Sequence, residues 1–448
     1  MLDDLFFRVA YLLSRPEIIR CYDESQKTQW KDYEYLRYQQ ETKLRNMISY
    51  AYKHVLYYTQ LLDELSIKPE DITTVKDLQQ FPILTKKAIK DNWHDFIPDN
   101  MNKIKYKDGF TSGSTGIPLN YRMSVYDYER GLGLMYRGWG YAGYRLGDKV
   151  ATIGGSSIMP VHGSRLKSVA QRILLHIRYF NFSVIGHDQL LKLFHSLNRW
   201  RPVYLRCYGS CILSFALYIR NHNLKPAFRP KGIFCTAETL MPWQRKVIEE
   251  ILQAPVFDQY GLNDGGVSAY ECEQHDGKHI DTERAILEVV DDDGKQIIDK
   301  RGRILATNLY NHAFPFIRYD TGDLGIISDS KCICGRNTHL LRGILGRAND
   351  HLELNGLLLN NQHINILLSN IDIDQYQIVQ DDYSSIIVRI IKGKDYKKED
   401  EALIRDSFTN SVGKINIHFD YVVTIPTSRA GKHRFIINNI RDSVATKD

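Results

Sequence analysis

GIFCTAETLMPWQRKVIEEILQAPVFDQYG, residues 232–261, sets the class of the fold. An apolar run at 232–238 ends in small and polar residues, an amphipathic stretch follows at 241–252, and a second apolar run at 255–261 closes the segment. Short runs rich in β-branched and aromatic residues that end in turns read as buried strands, and the periodic stretch between them reads as a helix. The pattern also holds upstream, with 149–155 and 203–210 as strands and 187–200 as a helix. Such alternation implies an α/β domain, where ligands sit beyond the carboxyl ends of the strands. Strand-end residues are therefore the first candidates for a site.

At 448 residues the chain can bury a sizeable core and divide into two or three domains. Hydrophobic residues make up 43% and charged residues 25%, as in ordinary globular proteins. The formal charge of +6 suits anionic substrates such as nucleotides, and no basic block points to nucleic acid. No apolar run approaches the ~20 residues of a membrane span. The opening MLDDLFFRVAYLLSRPEIIR begins with acids and lacks a basic leader region, so it reads as an amphipathic helix that rests on the protein or, alternatively, brushes a membrane, with packing favoured. Seven cysteines without an export signal fit a reducing cytoplasm, with thiols free or metal-bound.

Residues 43–65 place Leu44, Met47, Ile48, Ala51, Val55 and Leu56 at helical spacing. AILEVVDDDGKQII (285–298) has an Asp-Gly turn between alternating runs and reads as a hairpin. Beyond Arg347 the texture suggests a separate α+β unit of roughly a hundred residues. The expected division is 1–347 and 348–448. Two aromatic-rich stretches, 130–145 and 205–215, line either a ligand pocket or the core.

TSGSTGIPL (111–119) is rich in glycine and hydroxyls, which suits anionic oxygens, but Leu119 and the absence of Gly-Lys-[Ser/Thr] separate it from a Walker loop. Alone it reads as a turn. It is followed in order by TAETL (236–240), DQYGLNDGG (258–266), RYDTGDLG (318–325), LGRANDHLELNG (345–356) and PTSRAGKHRF (426–435).

Together these motifs resemble the adenylate-forming superfamily, most closely its phenylacetate–CoA ligase-like branch, which includes proteins associated with capsular polysaccharide biosynthesis. The resemblance spans nearly the whole chain. It implies a large N-terminal domain and a small mobile C-terminal one. Ser112, Ser114 and Thr115 would hold ATP phosphates, although many relatives end this loop in lysine. Ala237 and Glu238 would lie at adenine, Tyr260 would stack on it, and Asp258 would accept from its amino group. Asp264 would face Mg²⁺ where the family usually has Glu, and Asn263 replaces the usual hydroxyl residue. Asp323 would hold the ribose, since a carboxylate can accept from both hydroxyls. Arg347 would reach ribose or phosphate, Asn349 would be the hinge, and Lys432 would be the mobile catalytic lysine.

The implied activity is that of an ATP-dependent, AMP-forming acid ligase. A carboxylate attacks the α-phosphate, so the protein contributes positioning and cationic stabilisation. Coenzyme A is the leading acceptor of the acyl group. The alternatives are an amine, as in surface-polysaccharide modification, and a non-catalytic nucleotide-binding scaffold. The acid is not readable, and the oligomeric state stays open, a homodimer being compatible.

ECEQHDGKH (271–279) and KCIC (331–334) supply Cys272, His275, His279, Cys332 and Cys334. Four soft ligands from two segments fit a closed, structural Zn²⁺ site. The residues alone leave the histidine open. Some phenylacetate–CoA ligase-like proteins resemble this arrangement, and the favoured set is Cys272, His279, Cys332 and Cys334, with His275 as the substitute.

Overall fold

A computed structural model of the chain describes residues 2–111, 119–155, 158, 175–181, 187–347, 351–368, 371–427 and 432–440. The fold is α/β, in two compact units. The first comprises Met1–Asp148, Ala170–His176 and Phe257–Ile344; the second comprises Lys149–Val169, Ile177–Val256 and Leu345–Asp448.

In the first unit, helices Leu2–Ser14, Pro16–Thr28, Tyr33–His54, Leu56–Glu64 and Val125–Gly140 accompany a strand series. Its order is Ala285–Val290, Gly302–Asn308, Tyr319–Ser328, Leu340–Arg347, Lys278–Ile280, Ser268–Glu271 and Val256–Gly261. Two of these helix starts carry side-chain caps: Asp32 accepts from the Tyr35 N–H and Ser124 from that of Asp127. The N-terminal helix rests on the protein through Phe7 and Tyr11, whose rings meet Tyr136, while Leu5, Phe6 and Leu13 stay exposed.

The periodic stretch 43–65 is broken at Val55, which is extended (φ −122°, ψ 108°) and fully buried. The Thr59 hydroxyl donates to the Tyr52 carbonyl at 2.6 Å and lies 3.2 Å from that of Val55, which also accepts from the Tyr58 and Thr59 N–H groups. Helical spacing survives such a break because both halves face one core, so the sequence pattern does not reveal it.

The Asp-Gly turn at 291–294 is present, with Gly294 at φ +77° and the Lys295 N–H on Asp291 Oδ1. The returning arm makes only a single bridge, Val290 to Gln296, and the antiparallel partner of Ala285–Val290 is Gly302–Asn308. The aromatic-rich stretch 130–145 builds core: Tyr136 and Trp139 are buried and pack edge to face.

The second unit holds a parallel sheet in the order Gly232–Cys235, Tyr204–Cys207, Val150–Gly154, Ile177–Asn181. Helices His187–Trp200, Gly209–Asn221 and Pro242–Leu252 supply its apolar partners, including Leu197, Phe215 and Ile248. Cys211, Ile212, Leu213 and Phe215 are fully buried, so the 205–215 stretch is core as well. The C-terminal part has the sheet order Asn416–Tyr421, Ser385–Lys392, Ile373–Asp382, Ile436–Asn438, with helices Asn361–Leu368 and Asp400–Val412. Ile378, Val388, Ile404 and Phe408 form its core. Among the described residues no helix is long and apolar enough to cross a membrane.

Candidate adenylate site and cysteine–histidine cluster

Asp323 owes its position to a bulge. Arg303 pairs with Leu324 but Leu305 pairs with Asp320, so Thr321–Asp323 lie opposite the single residue Ile304 and their strand bulges. Gly322 takes φ +77°, a conformation that suits glycine, and its N–H is held by Asp320 Oδ1 at 2.8 Å. The Thr321 hydroxyl donates to the Ile304 carbonyl and accepts from the Asp323 N–H. Turn-like sequence thus lies inside a ten-residue strand, Tyr319–Ser328.

The bulge brings Asp323 to Tyr260, whose hydroxyl donates to Asp323 Oδ2 at 2.9 Å. Burial first, and then the neighbouring Asp323 charge, push the Tyr260 phenol well up, so it remains a donor. Asp258, on the same strand as Tyr260, pairs with Lys278 at 2.7 Å and accepts from the Gln259 N–H. Asp264 accepts from the Tyr319 hydroxyl at 3.0 Å and is half-buried, leaving its second oxygen able to serve a hard cation.

TAETL follows strand Gly232–Cys235 in the second unit. Ala237 has φ +68°, a strained value for a residue with a Cβ, of the kind that clusters at functional sites. Glu238 receives three hydrogen bonds: from the Ser210 N–H at 2.8 Å, the Ser210 hydroxyl at 2.9 Å and the His433 N–H at 2.7 Å. Burial raises its pKa, and these donors together with the Lys432 charge oppose the rise. Lys432 lies within electrostatic reach of this strand end.

The loop that opens with Thr111 is fastened at its mouth. The Thr111 N–H donates to the Leu119 carbonyl at 3.0 Å, and the Leu119 N–H to Thr111 Oγ1 at 3.1 Å. Leu119 is fully buried, in one cluster with Tyr121, Phe316 and Tyr319. Ser112, Ser114 and Thr115 lie outside the described residues, as does Asn349. Arg347 ends strand Leu340–Arg347, and its side chain is likewise outside the description.

The ligand atoms of Cys272, His279, Cys332 and Cys334 lie within 4.8 Å of one another. Cys272 Sγ is 3.7 Å from Cys332 Sγ, and Cys334 Sγ is 3.3 Å from His279 Nε2. Tetrahedral zinc with ~2.3 Å bonds to sulfur sets sulfurs about 3.8 Å apart, so the donor set fits the ion. His279 Nδ1 is 3.2 Å from Thr338 Oγ1, an outer partner that aims Nε2 inward. Burial, with Arg336 and Arg137 nearby, pushes His279 down to about 4 and keeps its ring neutral. His275 turns instead to Glu271, 3.1 Å away.

Sequence reading did not single out Ser210, Lys278, Tyr319, Thr338 or His433. Their roles arise from pairings between distant segments, and none carries a local signature. Only His433 could have been flagged, as the neighbour of Lys432.

Residues 352–439 match the CapK C-terminal domain. Protein CapK of Staphylococcus aureus is 28% identical over 411 residues, covering 90% of this chain and 89% of that one. The phenylacetate-coenzyme A ligase of Thermus thermophilus is 27% identical over 357 residues, covering 77% and 78%. Among solved structures, 2-hydroxyisobutyryl-CoA ligase in the postadenylation state with R3-HIB-AMP aligns with a TM-score of 0.76 at 19% identity, covering 94% of each chain. The same enzyme with 2-HIB-AMP and CoA in its thioesterification state aligns with a TM-score of 0.63. The chain therefore carries a CapK-like C-terminal domain, is a homologue of CapK and the phenylacetate-coenzyme A ligases, and has the fold of adenylate-forming CoA ligases.

Proposed function

We propose that this protein activates a carboxylic acid with ATP, forming an acyl-adenylate and pyrophosphate, and then transfers the acyl group to the thiol of coenzyme A. The observation that carries this reading is the meeting of Tyr260 and Asp323. Two motifs 63 positions apart converge through one hydrogen bond, as a site for an adenosine ring and its ribose requires. The homology to phenylacetate-coenzyme A ligases supports the thiol acceptor.

In this reading Tyr260 and Ala237 flank adenine, with Asp258 and Glu238 beside them, and Asp323 accepts from the ribose hydroxyls. Ser112, Ser114 and Thr115 hold the phosphates. The acid's carboxylate is already ionised, so no general base is needed. Lys432 places a compact positive charge between that carboxylate and the α-phosphate, and Arg347 supports it from ribose or phosphate. Asp264 is the residue to hold Mg²⁺, which would neutralise charge on the departing pyrophosphate. The four ligands of the cysteine–histidine cluster leave no open position, so zinc there is structural. Residues 1–347 form the ATP- and acid-binding domain and 348–448 the mobile one, turning about Asn349. The reading places the enzyme in the cytoplasm, with no nucleic-acid partner.

Acid-dependent exchange of labelled pyrophosphate into ATP tests it. A panel of acids with hydroxamate trapping identifies the substrate, and release of AMP with coenzyme A consumption completes the assignment. ADP release, or ATP binding without exchange for any acid, would overturn it. The CapK relative favours a second reading, in which the acceptor is an amine of a surface polysaccharide. Amide formation without thioester would select it.

A further inference from the structure

We propose that Glu238 is a positioning residue for the catalytic tail: its carboxylate, oriented by Ser210, holds the His433 backbone and thereby sets where Lys432 stands during adenylation. This rests on the function proposed above and deepens it, since there Glu238 was only a neighbour of adenine.

The geometry assigns each bond a task. Both Ser210 donors reach Glu238, the amide to Oε2 and the hydroxyl to Oε1, so the carboxylate plane is fixed before the tail is considered. Ser210 lies at the start of helix Gly209–Asn221, where backbone N–H groups favour an anion. Oε1 then takes the His433 N–H at 2.7 Å. Two donors therefore orient the carboxylate, and the third comes from a residue 195 positions away.

The tail is pinned from the other side as well. His433 Nε2 lies 2.9 Å from the Tyr376 carbonyl, and its ring packs edge-on against Phe435 at 4.5 Å. Gln377 Nε2 donates to the Arg434 carbonyl, and the Ile378 N–H to that of Phe435. Residues 433–435 are thus fastened to strand Ile373–Asp382, while Glu238 reaches them from the end of the parallel sheet. Adjacent Cα atoms are ~3.8 Å apart, so clamping His433 on both sides fixes the base of the Lys432 side chain. The Lys432 ammonium then lies close enough to act on the Glu238 charge. Glu238 itself reaches the tail through one charge-assisted bond, which can still be given up, as a catalytic group that must later withdraw requires.

The test compares wild type with Glu238→Gln, which keeps the side chain's size, Glu238→Ala, and Ser210→Ala. The first measurement is amide hydrogen exchange at His433 in the nucleotide-free protein, which needs no activity. The Glu238 variants should exchange this proton at least tenfold faster, and Ser210→Ala should show a smaller increase. The second is pyrophosphate exchange with the true acid: kcat should fall at least tenfold in Glu238→Ala while the KM for ATP changes less than threefold. Unchanged His433 protection in both Glu238 variants overturns the proposal. So does a loss carried by the KM for ATP with kcat retained, which would make Glu238 a nucleotide contact. If wild type performs no exchange with any acid, the functional reading fails, and His433 protection still decides whether Glu238 holds the tail.

Discussion

The Tyr260 hydroxyl and the Asp323 carboxylate form a 2.9 Å hydrogen bond in a site where both side chains are buried. Tyr260→Phe keeps the ring for stacking and removes only that bond, so AMP affinity should change less than about threefold while stability falls by about 1 kcal/mol. Asp323→Asn should weaken AMP binding by roughly tenfold or more, because bonds to a charged acceptor are the stronger kind. Calorimetric titration with AMP checks both. Equal losses would make the pair a structural clasp with no ribose contact.

Lys432→Ala should reduce acid-dependent pyrophosphate exchange by roughly a hundredfold, comparable to removing a preorganised charge-stabilising group. Nucleotide affinity should fall only modestly. Supplied with synthetic acyl-adenylate and the acceptor, the variant should still transfer the acyl group. Wild-type exchange in this variant would remove the tail from the chemistry.

Asn349→Pro should impair one half-reaction more than the other, because proline fixes φ near −65° where a hinge must absorb a large backbone change. Separate assays of adenylation and transfer read this out. Equal loss of both with a normal fold would count against a hinge at that position.

Purified protein should hold about one equivalent of zinc. Cys332→Ser should lose it on mild chelation and unfold earlier; binding to the native state alone contributes roughly 4 kcal/mol when free metal is a thousandfold above Kd. His275→Ala should keep the metal, since that ring faces Glu271. Elemental analysis with denaturant unfolding decides, and full stability of metal-free protein would refute a structural ion.

His433 links the C-terminal sheet to pH. Burial pushes its pKa down to about 4, opposed by the Tyr376 carbonyl. An unfolded histidine titrates near 6.5, so between pH 6.5 and 4 the unfolded chain binds the extra proton. The contribution is fully present above pH 6.5 and is lost as pH falls toward 4, by up to roughly 3 kcal/mol. Hydrogen exchange in strand Ile373–Asp382 at pH 7 and 5 measures it locally, and His433→Gln should flatten the difference.

What the sequence disclosed follows from what periodicity and residue type encode. The strand at 232–235 and the helix at 242–252 were legible because buried strands and amphipathic helices impose their own spacing. The break at Val55 was not, since both sides of it bury residues on one core. RYDTGDLG showed its turn chemistry but hid the bulge, whose register depends on the partner strand. Cysteine spacing named the cluster's candidates, while the choice between His275 and His279 needed the fold to turn one toward Glu271 and the other toward Cys334. Glu238 was legible as a strand-end acid. Its bonds to Ser210 and His433 join segments that no local pattern connects.

Leu119 limits what position 119 can hold. Its side chain is wholly interior, and its backbone closes the loop mouth with Thr111. A lysine at this position would force an ammonium into a cluster that holds Tyr121, Phe316 and Tyr319. Leu119→Lys therefore carries a desolvation cost that an exposed loop position would not.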